Sequence, residues 1–193
     1  MAELTRVEAL RLIDAAFPRD PIVIMLGTAS REMLQVTGLK ENHLHVLDSM
    51  GLPPAIGLGL ALGLKDSAFG KLVVIEGDGG LLMGFSSLTT IGLLKPDKLL
   101  LIVLDNGAYA ATGGQPTGAP ATDFAAVARA CGYDGREVEG ASALQGALAE
   151  ARGAPGPLLL RVRIGPQNLK TPYFLEDPVV LGRSFTEFLR RSG

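Results

Sequence analysis

Cysteine is almost absent. The chain of 193 residues carries one, Cys131, beside a helical-looking stretch, so neither an internal disulfide nor a thiolate metal cluster can form, and a reducing cytoplasm is the natural compartment. Clustered positive charge is missing as well. The formal net charge is −2 and Lys and Arg are scattered, which removes the basic footprint of a nucleic-acid binder and favours small-molecule chemistry. The N-terminus has no basic region followed by an apolar run and a cleavage site, since an amphipathic pattern starts at Thr5-Arg6-Val7-Glu8; no export signal is expected. No apolar run reaches the roughly 18 to 20 residues that span a bilayer. The longest, Gly51 to Leu64, is Gly-rich and interrupted by Pro53-Pro54, and reads as a buried helix, so no membrane partner is expected. Internal repeats and low-complexity tracts are also lacking.

What is present is apolar and periodic. A hydrophobic content of 47% with positive mean hydropathy fits stacked layers around a core, and the length fits a single domain over residues 1–193. Thr5 and Glu8 form a capping box, followed by Val7, Leu10, Ile13 and Phe17 at helical spacing until Pro18. Short β-branched runs then recur: Ile22–Leu26 into Gly27-Thr28, Leu72–Ile75 into Gly77, Leu99–Leu104 into Asp105-Asn106-Gly107, and Leu158–Ile164 into Gly165-Pro166. Continuous apolar strands are those of a parallel sheet covered on both faces. Helices are predicted between them at Pro54–Leu64, Phe85–Leu94, Asp123–Ala130 and Ser142–Arg152, the last two capped by Thr122 and Ala141-Ser142. The alternation predicts an α/β fold, a doubly wound, mostly parallel sheet with helices on both faces. Residues 107–121 read as a long Gly/Pro-rich loop of the kind kept for binding or lid duty, with a surface connector as the plain alternative. Residues 165–177 read as an extended tail before a last helix near Gly182–Arg190.

Such sheets bind ligands beyond the carboxyl ends of their strands, where Gly27-Thr28, Gly77-Asp78 and Asn106 fall together. The strand-to-helix turn Glu76-Gly77-Asp78-Gly79-Gly80 offers backbone N–H groups and a positive helix end to a diphosphate. A dinucleotide turn is the competing reading. It wants a third glycine where Leu82 stands, although Asp105 can imitate its ribose-binding acid. Charge separates the two: Asp78 repels a bare diphosphate, whereas an intervening divalent cation turns the same carboxylate into a ligand. Mg2+ accepts one carboxylate, an amide oxygen and a main-chain carbonyl, which Asp78, Asn106 and Ala108 can supply.

At Gly77-Asp78-Gly79-Gly80 and Leu104-Asp105-Asn106-Gly107-Ala108-Tyr109 the chain resembles the thiamine diphosphate-dependent enzymes, whose motif opens with Gly-Asp-Gly and closes on a distal Asn. The resemblance implies a thiamine diphosphate-binding fold, with thiamine diphosphate and Mg2+ as cofactors and Tyr109 beside them. It also implies that Gly27-Thr28 helps to hold the diphosphate; a helix cap is the other reading of Thr28. Asp48-Ser49-Met50-Gly51 resembles the family segment that bends the cofactor into a V, with Met50 as apolar wedge, though the family often has Gly where Asp48 stands. A core methionine is the alternative.

Ser30-Arg31-Glu32, Leu47–Gly51, Asp105–Tyr109 and Gly113–Thr117 are most similar to the sulfopyruvate and phosphonopyruvate decarboxylases. That likeness implies decarboxylation of a small anionic 2-oxo acid bearing a second anionic group, with a noncatalytic cofactor-binding subunit as the alternative. Gln115 and Thr117 would approach substrate if the loop closes, unless they are simple loop polarity. His43 and His45 are expected in a loop, meeting substrate or, more commonly, solvent. Arg31 has the donor fork for a sulfonate or phosphonate, or lies on the surface. The family's activating glutamate belongs to a pyrimidine-binding domain, and Glu8, Glu32 and Glu41 are poor substitutes for it. The resemblance thus implies no certain catalytic residue in this chain and a pyrimidine-binding α subunit as partner, in an α2β2 or higher assembly meeting the apolar Gly51–Leu64 segment.

Overall fold

The computed structural model describes residues 3–173 and 176–192. Along the chain run α1 (Arg6–Ala16), β1 (Ile22–Ile24), α2 (Thr28–Thr37), β2 (His43–His45), α3 (Pro53–Gly63), β3 (Leu72–Gly77), α4 (Asp78–Met83), α5 (Ser87–Leu94) and β4 (Leu99–Asp105). There follow β5 (Ala108–Tyr109), β6 (Gln115–Pro116), a 3-10 turn at Ala119–Ala121, α6 (Phe124–Ala130), β7 (Asp134–Glu139), α7 (Ala141–Gly153), β8 (Leu158–Arg163) and α8 (Pro178–Ser192). Six strands form one parallel sheet in the order β2-β1-β3-β4-β8-β7. The doubly wound α/β fold expected from the alternating runs is the fold observed.

Strand periodicity builds two cores from one sheet. Leu100, Ile102 and Leu104 of β4 face α1, α2 and α7, joining Leu10, Ile13, Met33, Leu144 and Leu148. Leu99, Leu101 and Val103 of the same strand face α3 to α6, with Leu58, Leu81, Ile91 and Phe124. All seven residues of β4 are buried, and each large aliphatic side chain so placed contributes about 1.5–3 kcal/mol. α3 lies close to β3 because Gly57 has no side chain: a Cβ there would sit 2.2 Å from Val74 Cγ2.

The strand order reverses between β1 and β3. From β1 the chain crosses outward to β2, then returns to β3 on the other side. The crevice at the carboxyl ends of β1 and β3 is the switch point at which this architecture takes ligands.

Several local expectations are corrected. His43 and His45 are not in a loop: they form β2, paired with Ile22 and Ile24 of β1, and are 2% and 3% exposed. Residues 107–121 are not a structureless loop; β5 and β6 pair as an antiparallel ribbon and the 3-10 turn follows. Strand β7 is additional; its Asp134-Gly135-Arg136-Glu137-Val138-Glu139 alternates charge with burial at the sheet edge and so lacks the apolar run that marks the other strands. The caps differ as well. Asp123 caps α6 by accepting from Ala126 N–H at 2.8 Å, and Gly140 rather than Ser142 precedes α7. Thr5 and Glu8 do close the capping box of α1. The last helix is longer than expected, and its Phe185 and Phe188 pack with Phe69 beside β2. Of the tail expected at 165–177, residues 174 and 175 lie outside the described residues, as do residues 1, 2 and 193 of the single domain.

Candidate cofactor site

A solvent-open cleft of about 600 Å3 occupies the switch point. Thr28, Met50, Gly77, Asp78, Gly79, Gly80, Asn106, Ala108 and Tyr109 all line it, with Arg6, Met25 and Glu76. Nine sequence-selected residues are therefore brought to one place from β1, β3, β4 and the loops that follow. Gly27 and Asp48 line an adjoining pocket with Arg31. Ser49 lines neither, and its carbonyl accepts from Leu52 N–H at 3.2 Å.

The turn after β3 is crowded. A Cβ on Gly79 would come within 2.3 Å of Tyr109 Cε1, and one on Gly80 within 2.2 Å of Glu76 Oε1. Glycine at both positions lets the Tyr109 ring and the Glu76 carboxyl close on the turn while leaving its backbone bare toward the cleft. Asp78 opens α4 and is 2% exposed. Thr117 Oγ1 donates to its Oδ2 at 2.5 Å. Burial raises the Asp78 pKa and nearby Asp105 adds to the rise, while the Thr117 hydroxyl and the backbone N–H groups of Asp78 and Asn106 oppose it. Glu76, 2% exposed, accepts from Gly77 N–H at 2.9 Å, and its Oε2 is buried without a hydrogen-bond partner. Burial pushes its pKa up to about 7, against the Gly77 N–H and with the repulsion of Asp78. Two adjacent buried carboxyls thus converge here, and none of the ion pairs among the described residues involves either one.

Asn106 and Ala108 lie on the turn after β4 and line the same cleft. Asn106 Oδ1 accepts from Ala108 N–H at 3.1 Å, and the Ala108 carbonyl accepts from Ala110 N–H at 3.0 Å. Each oxygen keeps a second lone pair for a ligand. One carboxylate, one amide oxygen and one carbonyl suit Mg2+, which takes its remaining oxygens from phosphate and water. Among the described residues no group of three or more His, Cys, Asp or Glu could hold a metal.

The dinucleotide alternative loses its acid. Asp105 is 2% exposed, paired with Arg161 at 2.8 Å and Arg163 at 3.3 Å, and accepts from Gly107 N–H. With its side chain fully buried, it is not presented to a ribose. Leu82 packs against the core on the α3–α6 side.

At α2 the cap is Gly27, with φ +79° and no side-chain bond, so Thr28 is the first helical residue and not the cap; its Oγ1 accepts from Arg31 at 3.4 Å. Asp48 has φ +52°, a left-handed conformation in which glycine is the easy residue and Asp is tolerated. That accounts for a position where both types serve. Met50 is not in the core; it is 38% exposed at the cleft. Gly51 (φ +83°) lies so close to α4 that a Cβ would meet Gly84 N at 2.8 Å.

Two expectations about substrate contacts change. Thr117 is buried behind Asp78 rather than facing an incoming molecule, and Gln115 is exposed, its Oε1 accepting from Thr112 Oγ1 and Gly113 N–H. His43 Nε2 lies 3.1 Å from Asp14 Oδ1 and His45 Nδ1 is 2.6 Å from Ser30 Oγ. Both imidazoles are held near pKa 4, chiefly by burial, and neither lines the cleft. Sequence reasoning passed over Arg6, buried at the start of α1 and bonded to Glu32 at 2.6 Å; Glu32 also accepts from Leu169 N–H. An arginine at a first helical turn has no special pattern, so nothing marked it. Glu76 was quoted only as part of the turn; its place at the end of an otherwise apolar strand was the available signal.

Residues 26–162 match the family described as thiamine pyrophosphate enzyme, C-terminal TPP binding domain, TPP being thiamine diphosphate. The chain is 32% identical over 189 residues to sulfopyruvate decarboxylase subunit beta of Methanococcus maripaludis, covering 98% of this chain and 100% of that one. It is 39% identical over 172 residues to phosphonopyruvate decarboxylase of Streptomyces viridochromogenes, covering 87% of this chain but only 42% of that one. A benzoylformate decarboxylase structure from Polynucleobacter necessarius superposes with a TM-score of 0.69 at 20% identity, over 85% of this chain and 33% of that one, and shares the fold. No helix among the described residues is long and apolar enough to cross a membrane. The chain belongs to the thiamine pyrophosphate enzymes, in which it is a C-terminal-type TPP-binding domain.

Proposed function

We propose that this chain is the thiamine diphosphate- and Mg2+-binding subunit of a 2-oxo acid decarboxylase acting on sulfopyruvate or phosphonopyruvate, with the active site completed by a pyrimidine-binding partner chain. The observation that carries the reading is Asp78, a buried carboxylate without a protein cation, which lines the switch-point cleft together with Asn106 and Ala108. In it Asp78, Asn106 and Ala108 hold the metal, Gly79, Gly80 and Thr28 receive the diphosphate, and Met50 supports the bend between the rings. When bound, thiamine diphosphate supplies the nucleophilic carbon and the electron sink that decarboxylation requires. The protein's share is orientation: the Thr117 hydroxyl fixes the Asp78 carboxylate, and Tyr109 covers the turn over Gly79.

Two points support a partner chain. The relative matched from end to end is named as a subunit, whereas the phosphonopyruvate decarboxylase has more than half its length beyond the match. Met50 at the cleft and Leu52, Leu62, Met83, Leu93 and Leu94 leave apolar side chains exposed on α3, α4, α5 and the loop before α3, a surface suited to a second polypeptide. The test is reconstitution with the candidate α chain, measuring CO2 release from sulfopyruvate, phosphonopyruvate and pyruvate. Turnover of one of the two doubly anionic acids by the mixture, and none by this chain alone, is expected. Preference for pyruvate would remove the substrate assignment, full turnover by this chain alone would remove the partner, and cofactor binding without any turnover would favour a noncatalytic subunit.

A further inference from the structure

A second pocket of about 720 Å3 adjoins the cofactor cleft; Leu26 and Ala111 line both, and Ser30, Arg31, Asp48 and Tyr173 are among the other residues that line it. Arg31 is its unusual member. Of the arginines that are not exposed, Arg6, Arg136, Arg161 and Arg163 each lie within 4 Å of a carboxylate. Arg31 has no such partner among the described residues, and its Nε is buried without a hydrogen bond. The guanidinium stacks 5.2 Å from the centroid of the Tyr173 ring, and one terminal nitrogen reaches Thr28 Oγ1 at 3.4 Å. A stacked guanidinium is oriented but not neutralised, and a half-buried cation with an idle donor is costly unless something anionic joins it. Asp48 does not serve: it is exposed at the rim and makes no ion pair with Arg31. Ser30 is engaged with His45.

We infer that Arg31 is the specificity-determining residue that takes the second anionic group, sulfonate or phosphonate, of the substrate. The inference rests on the decarboxylase reading above. The arrangement fits a short doubly anionic acid: Leu26 and Ala111 line both the cofactor cleft and the Arg31 pocket, so one small molecule with its reacting end in the cleft can place its second anion in the adjoining space. The planar fork suits two oxygens of a tetrahedral anion, and Tyr173 fixes the plane.

The experiment uses the reconstituted complex. For Arg31→Gln, KM for the doubly anionic acid is expected to rise roughly 10- to 100-fold, the loss typical of a hydrogen bond to a charged group, with kcat and the KM for pyruvate little changed. Arg31→Lys should recover part of the loss, since it keeps the charge without the fork. Calorimetry with 3-sulfopropionate and 3-phosphonopropionate, unreactive acids that keep both anions, should show the same fall in affinity, while thiamine diphosphate affinity stays unchanged. An equal loss for pyruvate and the doubly anionic acid, an unaltered selectivity, or a fall confined to thiamine diphosphate affinity would each overturn the inference; the last would place the guanidinium on the cofactor. If Arg31→Gln does not fold, Tyr173→Leu decides: it keeps the charge and removes the stacking face, and the absence of a several-fold rise in KM for the doubly anionic acid would count against the role. If the wild-type complex turns over neither acid, the decarboxylase reading fails on its own. Binding of the two analogues to wild type and not to Arg31→Gln would still uphold the anion site.

Discussion

The ends of β3 and β4 each carry a buried aspartate, Asp78 and Asp105, both 2% exposed, and the two are provisioned in opposite ways. Asp105 is neutralised from within the protein by Arg161 and Arg163 on β8, and Arg161 is in turn bonded to Glu137 and the Ala119 carbonyl. Asp78 receives a hydroxyl and backbone N–H groups but no cation, and its pKa is raised by burial. Breaking an internal ion pair destabilises a fold, whereas the role proposed for Asp78 is to take its counter-charge from an ion outside the protein. The two strands are adjacent and paired residue by residue, so the contrast reflects what each carboxylate faces rather than depth in the protein.

The largest effect expected from this contrast is on ligand binding at Asp78. Asp78→Ala should lower thiamine diphosphate affinity in the presence of Mg2+ by more than about 100-fold, because partners outside the metal shell are already worth about 10- to 100-fold at metal sites. The fold should survive by circular dichroism. Isothermal titration with and without Mg2+ is the check, and an Asp78→Ala protein that binds the cofactor normally would break the comparison at its centre.

For Asp105 the loss should be in stability. Asp105→Ala leaves the Arg161 guanidinium buried with only Glu137 and a carbonyl, and breaking a buried pair in this way costs about 3–5 kcal/mol. Urea unfolding should show it as a lower midpoint. In the same assay without cofactor or metal, Asp78→Asn should hold the wild-type midpoint or exceed it, since it removes a buried charge that no cation among the described residues neutralises. A large destabilisation by Asp78→Asn, comparable with that of Asp105→Ala, would erase the distinction.

The histidines of β2 extend the contrast to buried bases that carry no charge. His45 is held near pKa 4 by burial, below its ordinary value of 6.5, so the unfolded chain binds the proton more readily. Its contribution is present above about pH 6.5 and is lost as pH falls toward 4, with a size on the order of 3 kcal/mol at the acid end. Wild-type stability should therefore decline between pH 6.5 and 4. His45→Asn, which keeps a partner for Ser30, should decline less; equal slopes for the two proteins would show that His45 does not titrate as described.

Much of this was legible in the sequence because it depends on short-range pattern. Apolar runs ending in glycine or Asp-Asn-Gly located four of the six strands and the edge at which their turns meet, and the Gly-Asp-Gly turn with Asn106 located the cleft. Pairing was not legible. His43-Leu44-His45 has no apolar run, and the docking of α1, α2, α8 and β1 buries it; β7 likewise alternates charged residues because it is an edge strand. The fate of Asp105 depended on Arg161, far along the chain, so nothing near Asp105 indicated that this acid was already spent. Thr117 stood in a Gly/Pro-rich stretch that looked like a lid, and the pairing of β5 with β6 instead folds that stretch back beneath Asp78.

The smallest effect expected, and the most discriminating, is at Thr117. Its hydroxyl donates to Asp78 Oδ2 and accepts from Ala119 N–H at 3.2 Å, so it orients the carboxylate without itself lining the cleft. Thr117→Val keeps the shape and removes both bonds. A hydrogen bond to a charged group is worth about 1.5–3 kcal/mol, and part of that falls on the apo fold through Ala119, so cofactor affinity should drop by about tenfold, well short of Asp78→Ala. A double-mutant cycle then separates two roles. If Thr117 acts only by positioning Asp78, the valine substitution should have no further effect on cofactor affinity once Asp78 is alanine, because contacting groups are non-additive. If Thr117 touches the bound molecule directly, as a closing loop would have it, the same loss should appear with Asp78 present or absent, and the hydroxyl would then belong to the ligand rather than to the aspartate.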